Sequence, residues 1–340
     1  MNKTFIIAEA GANHNRDIEQ AYELIEIASN AKADAVKFQT YSSDTLYAKN
    51  TPDFGVYKNI NKLIKDIELP REWQRDLMLY CEDLGIEFIS TPFDKKAVDE
   101  LYSLGVRRFK IAGFEALDPR FVKYVATTGL PLLISLGIGS DFDSLSKIHG
   151  WVLDACSSTY VTYLHCNNAY PTPFEDINLG TLLQLKKYCK SFPHLYVHTN
   201  IGLSDHTEGI LVPPIAVALG AEVIEKHFTI NRKLPGPDHS FAIEPDELVE
   251  MIANIRLAEK LGRVKKGRFT HSEQNFRSAM RSVVVQGKIT KKSIVSEDNI
   301  TTKRPLLRNS IPAMEYYNIL GKRFTKDLVD DSVLTWEDIE

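Results

Sequence analysis

Eight short runs of β-branched and aromatic residues alternate with stretches long enough to hold a helix, and this rhythm leaves few folds open to the chain. The runs are Thr4–Ala8, Ala35–Gln39, Glu87–Ser90, Arg108–Ile111, Leu132–Ser135, Val161–His165, Tyr196–Gly202 and Val223–His227. Between and after them lie amphipathic patterns such as Ile18–Asn30, Glu72–Leu84, Lys95–Leu104 and Pro245–Leu261. Strands that alternate with helices form parallel sheets. Eight such units match the usual size of a closed barrel, about 250 residues. The spacing therefore predicts an α/β chain with a (β/α)8 TIM barrel over residues 1–262. A doubly wound open sheet is the alternative. It would expect a Gly-rich turn after the first strand, and the chain instead reads Glu9-Ala10-Gly11-Ala12-Asn13-His14.

The rhythm stops near residue 262. Gly262–Arg268 carries four basic residues and two glycines, the composition of a solvated hinge. Residues 263–280 read as a linker and 281–340 as a small β-rich domain. Its expected strands and turns fall at Arg281–Gly287, Ile294–Glu297, Ile300–Pro305 and Ile319–Leu328. About 60 residues fold only marginally alone, so this domain should lean on something else. A net charge of -4 argues against a nucleic-acid partner. No apolar run approaches the ~18 residues that span a bilayer, and Met1 leads into Phe5-Ile6-Ile7 with no signal-peptide pattern. A cytoplasmic enzyme is expected. The four cysteines have neither disulfide nor zinc spacing and read as small buried apolar residues.

Polar side chains gather at the strand ends, where a barrel carries its active site. In order they are Glu9 with Asn13 and His14, Lys37 with Gln39, Ser90-Thr91, Lys110, and Ser135. Then follow His165-Cys166-Asn167-Asn168 with Tyr170, Ser204-Asp205-His206, and Glu225-Lys226-His227. Lys37 and Lys110 lie inside apolar strands, where an unpaired charge costs several kcal/mol. Three readings are open: a buried ion pair with a core carboxylate, an anion cradle completed by Thr91, Ser135 and Ser204, or a Schiff-base lysine. His206 and His227, beside Asp205 and Glu225, are candidate metal ligands with positions left for substrate. Imidazole softness suits zinc, iron or cobalt better than magnesium. The loop Leu234–His239 offers Asp238 from a rigid turn, and Tyr170-Pro171-Thr172-Pro173 is either a stiff connector or a rim that presents a hydroxyl.

Taken together, several stretches identify a resemblance. FIIAEAGANHN (Phe5–Asn15), AVKFQT (Ala35–Thr40), FISTPFD (Phe88–Asp94), LHCNNAYPTPFEDINL (Leu164–Leu179), IGLSDHTEG (Ile201–Gly209), IEKHFT (Ile224–Thr229) and PGPDH (Pro235–His239) resemble the sialic acid synthase family. In the tail, NITTKRP (Asn299–Pro305) and MEYYNILGK (Met314–Lys322) resemble its antifreeze-like (SAF) domain. The resemblance implies an enzyme that condenses phosphoenolpyruvate with an amino-sugar aldehyde to a nine-carbon sugar acid. By the same resemblance phosphoenolpyruvate lies on Lys37, Thr91, Lys110, Ser135, Asn168 and Ser204. The acceptor meets Glu9, Gln39, Tyr170 and Asp238. A divalent cation, usually manganese with magnesium or cobalt as alternatives, sits on His206 and His227. Arg304 reaches the partner barrel in a domain-swapped homodimer. The chain departs from the family at Gly113, where many members have serine, at Leu136 in place of threonine, and in the turn HNR ending at Arg16. A class I aldolase using an imine and a sugar-binding protein with a decayed site are the competing functions.

Overall fold

The computed structural model describes residues 3–53, 58–191, 199–261 and 269–340. Its contacts divide the chain into two units, Met1–Val264 and Lys265–Glu340. The basic hinge Gly262–Arg268 lies outside the described residues.

The first unit is a parallel barrel. Its strands are β1 (Phe5–Gly11), β2 (Ala35–Thr40), β3 (Glu87–Pro92), β4 (Phe109–Ile111), β5 (Leu132–Leu136), β6 (Val161–Cys166), β7 (Thr199–Asp205) and β8 (Val223–His227). Hydrogen bonding orders them β3-β2-β1-β8-β7-β6-β5-β4, and β3 lies against β4, which closes the ring. The alternation of the sequence is thereby realised as the (β/α)8 barrel. The seventh expected strand began at Tyr196, and residues 196–198 lie outside the described set; the strand itself runs on to Asp205.

The helices start where side chains satisfy the exposed N–H groups of a first turn. Asp17 caps α1 (Ile18–Asn30), and Asp94 caps the helix Lys95–Leu104, which ends at Gly105 with φ +91. Asp141 and Ser144 form a reciprocal capping box on the helix Phe142–Ala155. One region was not read from the sequence: between β2 and β3 the chain also forms α2 (Ser43–Leu46) and α3 (Ile60–Ile67). α3 buries Ile60 and half-buries Leu63, Ile64 and Ile67, which lie on one face at i, i+3, i+4 and i+7.

The barrel interior is layered, because residues two apart on a strand share a face. Ile7, Ala35, Ile89, Leu133, Leu164 and Val223 pack together as an apolar plug. Gly202 serves the same layer on β7: a Cβ there would stand 2.4 Å from the Val223 carbonyl oxygen and 2.7 Å from Leu164. Two residues beyond each plug position come Glu9, Lys37, Thr91, Ser135, Cys166 and Glu225, with Ser204 following Gly202. The opposite face of the strands packs under the helices in a larger core containing Ile6, Val36, Phe38, Phe109, Ile134 and Ile224.

The second unit has its own core, built around Val283, Val285, Ile300, Ile311, Phe324 and Leu334. Among the described residues of this unit, only β9 (Ser282–Val285) and β10 (Ile300–Lys303) form a ladder, antiparallel. The expected strands Ile294–Glu297 and Ile319–Leu328 are instead irregular segments. They touch their neighbours through single bridges, Ile294 to Arg323, Ile289 to Leu328 and Phe324 to Ile339. Their apolar residues fill the core from turns, so β propensity overstated the strand content. Among the described residues no helix is long and apolar enough to cross a membrane.

Candidate active site

Above the plug, the strand register gathers four charged groups. Lys37 Nζ lies 2.7 Å from Glu9 Oε2 and 3.6 Å from Glu225 Oε2, and donates to Thr91 Oγ1 at 3.0 Å. Lys110 Nζ stands 3.3 Å from Glu225 Oε1, which also accepts the Ser204 hydroxyl at 2.8 Å. All four charged side chains are at most 4% exposed. Gln39 donates to Glu9 Oε1 at 2.7 Å, fixing the carboxylate's second oxygen.

The four groups do not share charge equally. Burial raises the Glu9 carboxyl pKa, Lys37 opposes this and Glu225 adds to it, leaving the pKa at about 7. Burial also works against the Glu225 carboxylate, but two ammoniums outweigh it and hold its pKa down to about 2. Desolvation would lower the Lys37 pKa, yet the two carboxylates keep it raised. An imine-forming lysine needs an unprotonated amine. Lys37 is held in the opposite state, which weakens the Schiff-base reading for that lysine. The ion-pair reading of the lysines is realised, with the partners coming from within the same polar layer.

Two imidazoles form the next layer. His206 and His227 have ring centroids 5.4 Å apart, and the Tyr170 ring lies over His206 at 4.2 Å and edge-on to His227 at 6.1 Å. Burial pushes the His206 pKa to about 4 and that of His227 well below its ordinary value. Both rings are therefore neutral near pH 7, the form that ligates a metal. His206 Nδ1 is engaged with the Asn167 carbonyl oxygen at 2.6 Å, which points its Nε2 elsewhere. His227 Nδ1 is buried without a hydrogen-bond partner. Among the described residues no group of three or more His, Cys, Asp or Glu side chains converges as a metal cage. Two neutral imidazoles with the unpartnered His227 Nδ1 are donors that a cation could use, and no third protein ligand stands with them among the described residues.

Asp205, expected beside the histidines, turns away. Its carboxylate takes the Lys226 ammonium at 2.7 Å and the Thr207 N–H and hydroxyl, all buried on the outer face of the barrel. Asp238 instead approaches the site. Its Oδ2 accepts the Ala12 N–H at 3.1 Å and lies 4.0 Å from His227 Nδ1. Gly11 makes this approach feasible: its φ is +53, and a Cβ would stand 2.6 Å from Asp238 Oδ2. Gly11→Ala is expected to displace Asp238 and to cost about 1 kcal/mol from the left-handed backbone alone, measured as a drop in the barrel's unfolding free energy.

Asn168 lies beside the departure at Gly113. Its Oδ1 accepts the Ile138 N–H at 2.7 Å and would stand 3.1 Å from a Cβ at Gly113 and 1.9 Å from one at Gly137. The carboxamide lies in the space that a serine side chain at 113 would crowd. Ser135 Oγ is buried and makes no standard hydrogen bond, with the Cys166 thiol beside it. Arg304 belongs to the second unit, where it follows β10 as an exposed side chain.

Glu225, expected beside the histidines, pairs instead with the lysines, and Cys166, named only among the polar strand ends, enters the same layer. Both were legible: each stands two residues beyond a plug position, in step with Lys37 and Ser135.

The sequence profile of the NeuB family matches residues 24–266, and that of the SAF domain matches residues 280–340. An uncharacterised protein of Methanocaldococcus jannaschii is 38% identical over 99% of this chain and 94% of its own length. The N,N'-diacetyllegionaminic acid synthase of Campylobacter jejuni is 36% identical over 98% of this chain and 99% of its own. The crystal structure of N-acetylneuraminic acid (sialic acid) synthetase from Leptospira borgpetersenii serovar Hardjo-bovis, in complex with citrate, is similar at 32% identity. It superposes with a TM-score of 0.72 and covers 81% of this chain and 90% of that one. The buried lysine pair, the facing imidazoles and these likenesses agree: the chain belongs to the NeuB family of sialic-acid-type synthases, is an enzyme, and ends in a SAF domain.

Proposed function

We propose that the enzyme condenses phosphoenolpyruvate with the open aldehyde form of an N-acetylmannosamine-type sugar, giving a nonulosonic acid and phosphate. The observation that carries this reading is the polar layer itself. Two buried ammoniums share a layer with the hydroxyls of Thr91, Ser135 and Ser204, and Asn168 follows just beyond β6, a set of groups suited to a phosphate and a carboxylate. In this reading Lys37 and Lys110 leave their carboxylate partners in part to hold the enol phosphate. C3 of phosphoenolpyruvate forms a bond to the aldehyde carbon, whose oxygen takes a proton. Water adds at C2 and gives up a proton, and the C–O bond to phosphate then breaks. Glu9, with its raised pKa, is the group that exchanges a proton at Oε2 with that water. Gln39, Tyr170 and Asp238 orient the acceptor's hydroxyl and acetamido groups.

A divalent cation on His206 and His227, manganese by family likeness, supplies Lewis-acid polarisation of the aldehyde oxygen when bound. Arg304 completes the acceptor site across a homodimer in the same reading. The likeness to a legionaminic acid synthase supports a second acceptor, a 2,4-diacetamido-trideoxyhexose.

The test is phosphate release from phosphoenolpyruvate with manganese against N-acetylmannosamine, 2,4-diacetamido-2,4,6-trideoxymannose and its altrose counterpart. Release with one sugar, lost on adding a chelator, is expected and identifies the acceptor. Pyruvate-dependent trapping by borohydride, with no chelator effect, would replace this reading with an imine aldolase.

A further inference from the structure

Behind Asp238 stands a buried histidine that no step of the proposed reaction uses. His239 is fully buried, and both of its ring nitrogens are engaged. The Asn15 amide approaches Nε2 at 3.0 Å, so Nε2 accepts and the ring proton sits on Nδ1. Nδ1 in turn lies 2.6 Å from Thr229 Oγ1. That hydroxyl also receives the Asn231 N–H at 3.2 Å and has the Asn231 carbonyl oxygen at 3.3 Å for its own proton. With the Asn15 amide nitrogen facing Nε2, the Nδ1-protonated ring satisfies each of these contacts.

The chain of bonds joins two segments far apart in sequence. Asn15 belongs to the turn after β1; Thr229 and Asn231 belong to the segment leaving β8. His239 lies on the loop that carries Asp238, and Asp238 grips the same β1 turn one bond away, at the Ala12 N–H. Gly236 allows the loop to lie this close: its φ is +143, and a Cβ would stand 2.9 Å from His239 Cδ2 and 3.0 Å from Asn15 Oδ1. Two neighbouring residues therefore hold one turn, one through the ring and one through the carboxylate. If the ring is removed, Asp238 alone resists the swing of its loop.

We propose that His239 is a positioning residue that holds the Asp238 carboxylate over Gly11 and beside His227. The inference rests on the reading of Asp238 as an acceptor contact only for its kinetic consequence; the geometric claim stands apart from it. His239→Leu removes both bonds, and His239→Asn keeps a donor where Nδ1 stood. His239→Leu is expected to raise the acceptor KM on the order of tenfold or more, as loss of an orienting partner typically does, and to leave the phosphoenolpyruvate KM within about twofold. His239→Asn should recover part of the loss. The double variant with Asp238→Asn should be no worse than Asp238→Asn alone, because both act through one carboxylate.

The second readout is the 15N spectrum of the histidine side chains in the metal-free protein. His239→Leu and Asp238→Asn should both move the His227 nitrogens. Wild-type His227 signals in His239→Leu overturn the proposal, whichever sugar the enzyme uses. An unchanged acceptor KM in Asp238→Asn would refute the acceptor role of Asp238, while the His227 shift still decides the positioning claim. Should His239→Leu fail to fold, Asn15→Ala and His239→Asn carry the test, and unshifted His227 signals in both overturn it.

Discussion

His227→Ala is expected to abolish turnover while leaving the barrel folded. The ring sits at the end of β8, touching His206, Tyr170 and Phe241 at the rim of the site rather than in either apolar core. Its buried Nδ1 has no protein partner, so its removal breaks no hydrogen bond that the fold uses. What is lost is half of the two-imidazole pair. Metal polarisation of a carbonyl is worth several kcal/mol in a transition state, and each 1.36 kcal/mol is a factor of ten. A fall in kcat of about a thousandfold or more follows. Manganese binding measured by calorimetry should weaken in parallel, with a melting curve close to wild type. Retained activity with intact metal binding would show that the histidine pair is not the cation site, and His206→Ala would then be expected to be equally silent.

The barrel was legible because parallel strands buried on both faces read as compact apolar runs, and helix caps mark the gaps between them. The polar strand ends were legible for the same reason: a lysine inside such a run has no structural excuse. Partner choice was harder to see. Asp205 and Glu225 both flank a histidine in sequence, yet alternation along the strand sends Glu225 to the lysines and Asp205 to Lys226 outside. The spacing already held that answer, since Glu225 and His227 are two apart and share a face while Asp205 and His206 are adjacent and cannot. α3 was legible too: Ile60, Leu63, Ile64 and Ile67 fall at i, i+3, i+4 and i+7, the stripe of an amphipathic helix, although the segment is only two turns long. In the second unit, apolar residues on turns mimic strands, and only a structure tells Ile319–Leu328 from a ladder. The clasp at His239 joins residues more than 220 positions apart, a pairing that no local pattern announces.

Lys226→Met should be the most destabilising of these substitutions, although Lys226 lies outside the active site. Its ammonium is 1% exposed and meets Asp205 at 2.7 Å, with the Thr207 carbonyl oxygen as a further acceptor. Asp205 and Lys226 are register partners on β7 and β8, so the pair ties together the two strands that end in the imidazoles. Removing one partner of a buried pair leaves an uncompensated charge and costs about 3–5 kcal/mol. For a unit of this size that is roughly a 10 °C fall in the barrel's melting temperature. Asp205→Asn with Lys226→Met should recover part of the loss, because no bare charge remains. The control is Lys303→Met on the second unit. There the ion pair with Asp331 has side chains 55% and 64% exposed, and such pairs contribute at most about 1 kcal/mol. The contrast isolates burial as the cause, since the charges are alike. Equal, small effects of Lys226→Met and Lys303→Met would mean that water reaches the β7–β8 seam and that the histidine-bearing strand ends are held by backbone pairing alone.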